Sequence, residues 1–261
     1  ATAAAVVLAS GPAAAPPQPP GSPGVKGRRP ARRRVAAGAP AKTAEYWHVK
    51  RAWIEKNLEP GMAPRVIETW TSRTGREWTK SPRSGGRLVE ASRPGKFSLG
   101  DIELSLDEVR ALPTGPDALE KRLAEIISRA DLRSPAGTTP DADGLRRLGF
   151  LSLVALITTA PASPDVRAAA FRAIAAHPDV RSNGEVEGGH ELRFPAFEPL
   201  PRGAEGAAEL PKPEARLVVD PSTGRVTRTN FFVQPGGGLE WVAPPSTMAI
   251  TANWTDDLPE D

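Results

Sequence analysis

The side chains best suited to catalysis are few in this chain, and their spacing joins none of them into a known site. The histidines are His48, His177 and His190. None belongs to an H-x-x-x-H or H-E-x-x-H pair, and His190-Glu191 lacks the second histidine. Zinc sites need three or four protein ligands or nearly so, so these residues read as surface or strand positions. The chain has no cysteine, which excludes disulfides, thiolate metal sites, iron–sulfur clusters and cysteine nucleophiles. Ser134, Ser163 and Ser222 fall outside the G-x-S-x-G and S-x-x-K contexts that activate serine. They read as loop, cap and turn residues. Gly188-Gly189 and the glycines at 236 to 238 complete neither a G-x-x-x-x-G-K-[ST] nor a G-x-G-x-x-G pattern, so no phosphate cradle is predicted. Asp101, Glu103, Asp107 and Glu108 cluster without EF-hand spacing and read as a solvated face. No catalytic, cofactor or metal site is named by these residues, and the chain reads as a non-enzyme.

Tryptophan is the one chemically distinctive residue that is well supplied. There are six, although only 5% of the chain is aromatic. Trp47, Trp53, Trp70 and Trp78 all fall on the first predicted strands, and parity puts Trp47 and Trp53 on one face. One reading is core packing, which aromatic side chains dominate energetically. The other is an aromatic-lined cleft for a lipid or peptide. These four are the ligand-cleft candidates.

The elements that must position them follow from periodicity. Residues 46–55 alternate, with Tyr46, His48, Lys50 and Ala52 against Trp47, Val49, Arg51 and Trp53, which predicts a strand. Further strands are predicted at 65–71, at 76–80 after a Thr74-Gly75-Arg76 turn, and at 87–91. Ile102, Leu104 and Leu106 alternate, while Ser105 and Glu108 have the spacing of a capping box for a short helical turn at 106–111. Leu119, Leu123, Ile126 and Ile127 mark one face of a helix at 116–130. The apolar run at 144–160 predicts a buried helix too short to span a bilayer. Ser163-Pro164-Asp165 starts another, ending before Pro178. Strand-like sequence resumes at 180–197 around Gly188-Gly189. A hairpin is predicted from 215–220 and 226–233 about Asp220-Pro221-Ser222-Thr223-Gly224-Arg225. Short strands at 240–243 and 248–254 close the chain. Strands, then helices, then strands predict an α+β fold, a curved antiparallel sheet with about three helices on one face.

Charge separates the chain into two parts. Of 34 Lys and Arg residues, six lie in 1–41 without any acid, which leaves 28 against 31 acids in the remainder. The high pI therefore belongs to the tail, and a basic nucleic-acid-binding face on the folded part is not predicted. Residues 1–42 read as a disordered Ala/Pro/Arg tail and 43–261 as a single domain. Residues 1–10 are apolar and uncharged. They fit half of a membrane-spanning helix, the core of a signal peptide, or an Ala-rich end. A Pro-rich linker and the run from Lys26 to Arg34 follow.

Several motifs recur together in this order. They are Tyr46-Trp47-His48-Val49, then Trp70 with Thr74-Gly75-Arg76-Glu77-Trp78, then Leu112-Pro113-Thr114-Gly115-Pro116-Asp117-Ala118-Leu119. Val166-Arg167-Ala168-Ala169-Ala170-Phe171-Arg172-Ala173-Ile174-Ala175 and Leu217-Val218-Val219-Asp220-Pro221-Ser222-Thr223-Gly224-Arg225 complete the set. The set, over about residues 45–255, resembles an actinobacterial family of uncharacterised, membrane-anchored proteins with an extracytoplasmic domain. That family is similar in layout to lipoprotein-carrier and sigma-regulator sensor domains. The resemblance implies no catalytic residues. It implies a binding or sensing domain on the extracytoplasmic side of the cell membrane, tethered through the N-terminal segment. The partner would be an apolar ligand, a peptide or another protein, with no nucleic acid and no cofactor. A secreted lipid or lipoprotein carrier is the alternative, and a hydrolase with an unrecognised site is the third.

Overall fold

A computed structural model of the chain describes residues 44–55, 64–91, 96–132, 139–195, 214–235, 238–242 and 246–259. All belong to one compact unit. The expected tail at 1–42 lies outside the described residues.

The first strand, β1 (Tyr46–Ile54), buries Trp47, Val49 and Trp53 on one side, as alternate strand positions should. β2 (Val66–Ser72) and β3 (Glu77–Lys80) form a hairpin through Gly75, whose φ of 84° suits glycine alone at low cost. β4 (Leu88–Ala91) ends this meander. β5 (Phe97–Leu99) and β6 (Ile102–Leu104) pair separately. The helices follow: α1 (Leu106–Arg110), α2 (Pro116–Arg129), α3 (Ala142–Thr158) and α4 (Pro164–Ala176). Strands resume with β7 (Arg181–Val186), β8 (Gly189–Pro195), β9 (Glu214–Asp220) and β10 (Arg225–Thr229). They end with β11 (Phe231–Val233), β12 (Leu239–Trp241) and β13 (Thr247–Thr255).

Nine strands form one open antiparallel sheet in the order β4-β3-β2-β1-β13-β10-β9-β8-β7. The expected α+β class is correct, with four helices rather than about three. The additional one is α1, started by the expected capping box: the Glu108 N–H donates to Ser105 Oγ, and the Ser105 N–H donates to Glu108 Oε2 at 2.8 Å. The sheet joins the two ends of the described chain at its centre, where β1 and β13 pair from Tyr46↔Thr255 to Ile54↔Thr247.

Local chemistry sets the helix starts. Asp141 Oδ1 accepts the Gly144 N–H at 2.8 Å, so α3 begins at Ala142, two residues before the expected start. Ser163 Oγ accepts the Val166 N–H with Pro164 in the first turn, as expected for α4. One expected strand is divided. The predicted run at 226–233 breaks at Asn230, whose Oδ1 accepts the Arg216 N–H at 2.8 Å and whose Nδ2 donates to the Glu214 carbonyl at 2.9 Å. The Asn230 side chain thus takes bonds that a continuing β10 backbone would make to β9. The chain turns away, and β11 pairs with β12 instead.

The helices lie against the face that carries Trp47. The Trp47 indole N–H donates to the Thr159 carbonyl at the end of α3, at 2.6 Å. Phe150 of α3 meets Phe194 of β8 edge-on, with ring centres 4.9 Å apart. Between the layers Phe194, Phe231, Leu99, Leu156, Leu217 and Met248 are fully buried. Each such side chain contributes about 1.5–3 kcal/mol of transfer free energy. No helix among the described residues is long and apolar enough to cross a membrane.

Candidate ligand-binding site

The cleft-candidate tryptophans occupy two opposite faces of the sheet. Trp47 and Trp53 lie on the helix-facing side of β1. Trp70 pairs with His48 across β1 and β2, and with Trp78 across β2 and β3, so both Trp70 and Trp78 lie on the other side. All four rings have a basic or imidazole side chain close by. The Arg225 guanidinium stands over Trp47 at 5.1 Å and Arg65 over Trp53 at 4.2 Å. Arg76 stands over Trp78 at 5.1 Å, and His48 stacks on Trp70 at 4.6 Å. The His48 ring also bonds to Glu68 Oε2 at 2.9 Å, and Arg76 binds both oxygens of Glu90. Cation–π contacts of this kind are each worth about 0.5–2 kcal/mol, rising with desolvation. The protein itself therefore occupies ring faces that an aromatic cleft would offer to a ligand.

Open volume occurs elsewhere, between α2 and α3. A hollow of about 420 Å³ is bounded by Leu123, Ala124 and Ile127 of α2 and by Leu145, Gly149, Phe150 and Leu153 of α3. Its size falls within the range of about 300–1,000 Å³ usual for small-molecule sites. The polar members are Glu120, Ser128, Arg146 and His177. Arg146 pairs with Asp143 one turn earlier in α3, and His177 meets Phe150 edge-on at 4.9 Å. Gly149 helps hold the hollow open. A methyl group in its place would meet only Ile127 Cδ1, at 4.0 Å. Leu145 is 38% exposed at the mouth. This arrangement can remove an apolar group from water.

A second hollow of about 430 Å³ lies by the β9–β10 region and includes Val218, Glu187, Glu191, Arg216 and Arg228. Several of its charges are already engaged. Arg228 approaches Glu187 at 4.0 Å, and Glu191 binds Arg193 at 2.8 Å. Among the described residues, no group of three or more His, Asp or Glu could hold a metal ion. The α2–α3 lining has the spacing of any buried helix face, so its sequence alone reads as core. The signal that marks it is Gly149, since glycine inside a helix costs about 1 kcal/mol relative to alanine and so calls for a reason.

No family model matches this chain, and no curated protein or solved structure matches it.

Proposed function

We propose that the domain is a non-catalytic binding or sensing module that takes a small apolar ligand of acyl-chain type into the α2–α3 hollow. The observation that carries this reading is the apolar lining of an open hollow around Gly149. The test uses the full chain and N-phenyl-1-naphthylamine, an uncharged apolar fluorophore. Saturable fluorescence enhancement is expected with the natural sequence. Gly149→Leu fills the hollow and improves helix propensity, so it should weaken binding at least about tenfold, or 1.4 kcal/mol, without loss of stability. Non-saturable fluorescence, or equal binding by Gly149→Leu, would remove the support for this reading.

We further propose that the domain works on the extracytoplasmic side of the cell membrane, tethered by its N-terminal segment. The apolar residues 1–10 and the family resemblance support this placement. Because the chain has no cysteine, a single Arg83→Cys substitution at an exposed turn supplies the only thiol. A membrane-impermeant maleimide added to intact cells should label it as fully as in lysed cells. Labelling only after lysis would place the domain inside.

A further inference from the structure

We propose that Arg225 and Arg167, beside Trp47, form a binding site for an oxyanion of the phosphate class. Arg167 leaves the first turns of α4 and is 6% exposed. Its Nε donates to the Thr223 carbonyl at 3.0 Å, and its Nη1 donates to the Ala162 carbonyl at 2.6 Å. The first bond draws the turn before β10 onto α4, and Gly224 permits the approach. A Cβ there would lie 3.3 Å from the Arg167 Cβ. The next residue is Arg225, half-buried, with its guanidinium over Trp47.

Neither guanidinium forms an ion pair among the described residues. The nearest candidate by pairing is Asp220, directly across the hairpin from Arg225. Its carboxylate is spent on its own turn, accepting from the Ser222 N–H at 2.9 Å, the Ser222 hydroxyl at 2.7 Å and the Thr223 hydroxyl at 2.9 Å. Those bonds hold the Asp220 carboxyl below its usual range. Burial pushes the Arg225 guanidinium down to about 10, and the charge on Arg167 pushes the same way. Burial lowers Arg167 as well. Two desolvated like charges without a counter-ion are costly, and an anion would relieve both the desolvation and the repulsion.

The donors for that anion are present. Arg167 uses Nε and Nη1 on carbonyls and leaves Nη2 without a protein acceptor among the described residues. Among the described residues, no solvent-excluded side-chain nitrogen or oxygen lacks a partner. Nη2 and the Arg225 donors therefore stay in contact with solvent. Planar guanidinium forks match phosphate oxygens in pairs, and an aromatic floor holds the fork flat. The site is built from Arg167 near the start of α4 and Arg225 at the start of β10, whereas the hollow is lined by α2, by α3 as far as Leu153 and by His177, so the two share no residue and can be tested separately.

The experiment measures thermal unfolding of the full chain in inorganic phosphate against chloride at equal ionic strength. Parallel flotation assays use phosphatidylglycerol and phosphatidylcholine vesicles. The basic tail binds anions equally in every variant, so differences between variants report on this site. A saturable rise in melting temperature with phosphate is expected. Arg225→Gln should abolish it, and Arg225→Lys, which keeps charge but loses the fork, should weaken phosphate at least about tenfold. Vesicle binding that depends on Arg225 and is competed by phosphate would identify a lipid headgroup as the source. A phosphate response without vesicle dependence would identify a soluble phosphate. No Arg225-dependent response to either would overturn the proposal. So would a fall in stability by the same amount in phosphate and in chloride, because that is the signature of simple stacking on Trp47.

Discussion

Replacing Gly189 with alanine should destabilise the domain by about 3 kcal/mol or more, the scale set by backbone forced into a glycine-only region plus a clash. Gly189 opens β8 with φ 141°. A Cβ added there would overlap the Val219 carbonyl oxygen and lie 2.6 Å from its carbon and 3.0 Å from the Asp220 nitrogen. All three are backbone atoms, so no rotamer change relieves the overlap. β9 cannot retreat either, because it is bonded to β8 on one side and β10 on the other. The hairpin of β7 and β8 must peel back instead, taking the His190↔Val219 pairing with it. Gly184 and Gly86 provide the comparison. Both have positive φ, yet neither has an atom within 4 Å of an added Cβ. Alanine there should cost only about 1–2 kcal/mol, the left-handed backbone penalty alone. Urea unfolding midpoints check the ordering. A Gly189→Ala midpoint equal to that of Gly86→Ala would show that β9 yields after all.

Such local backbone facts explain which parts of the fold could be read from sequence. The alternation at Trp47, Val49 and Trp53, the turn at Gly75 and the cap at Ser163 each involve residues a few positions apart, and each was legible. So was the Asp220 turn with Gly224 at φ 62°. The central β1–β13 pairing was not, because its partners lie about two hundred residues apart and neither strand encodes the register of the other. The departure of β11 was hidden for a related reason. The Asn230 side chain acts on Arg216 and Glu214 in another strand, and the sequence around Asn230 does not name those partners. The tryptophans show the same limit at the level of the site. Their number was visible, but the arginine beside Trp47 comes from a distant position, Arg225, and a lone arginine in a turn reads as solvated. The α2–α3 hollow depends on how far apart two helices sit, a quantity that the period of either helix does not contain.

Phe194→Ala should have the second large effect, and it ties the core to the hollow. Phe194 is 1% exposed and stands in a chain of rings from Phe150 through Phe231 to Trp241. The successive centre distances are 4.9, 5.5 and 5.8 Å. Truncation should cost about 3–5 kcal/mol from lost transfer energy and the cavity left behind. Two edge-on pairs are lost as well, each about 0.5–1.5 kcal/mol. Against a total stability of about 5–15 kcal/mol for a typical domain, that is a large share. Phe194→Leu, which keeps most of the volume, should cost less than about 1.5 kcal/mol. Denaturant unfolding followed by tryptophan fluorescence checks both. The functional consequence follows from Phe150. That ring lines the hollow on one side and is backed by Phe194 on the other. Without its backing, Phe150 gains room to rotate toward the core and the wall of the hollow is no longer fixed. Under conditions where Phe194→Ala remains folded, it should therefore bind the apolar fluorophore more weakly than Phe194→Leu does, although residue 194 does not line the hollow. Equal binding by the two variants would mean that Phe150 is held by α3 alone.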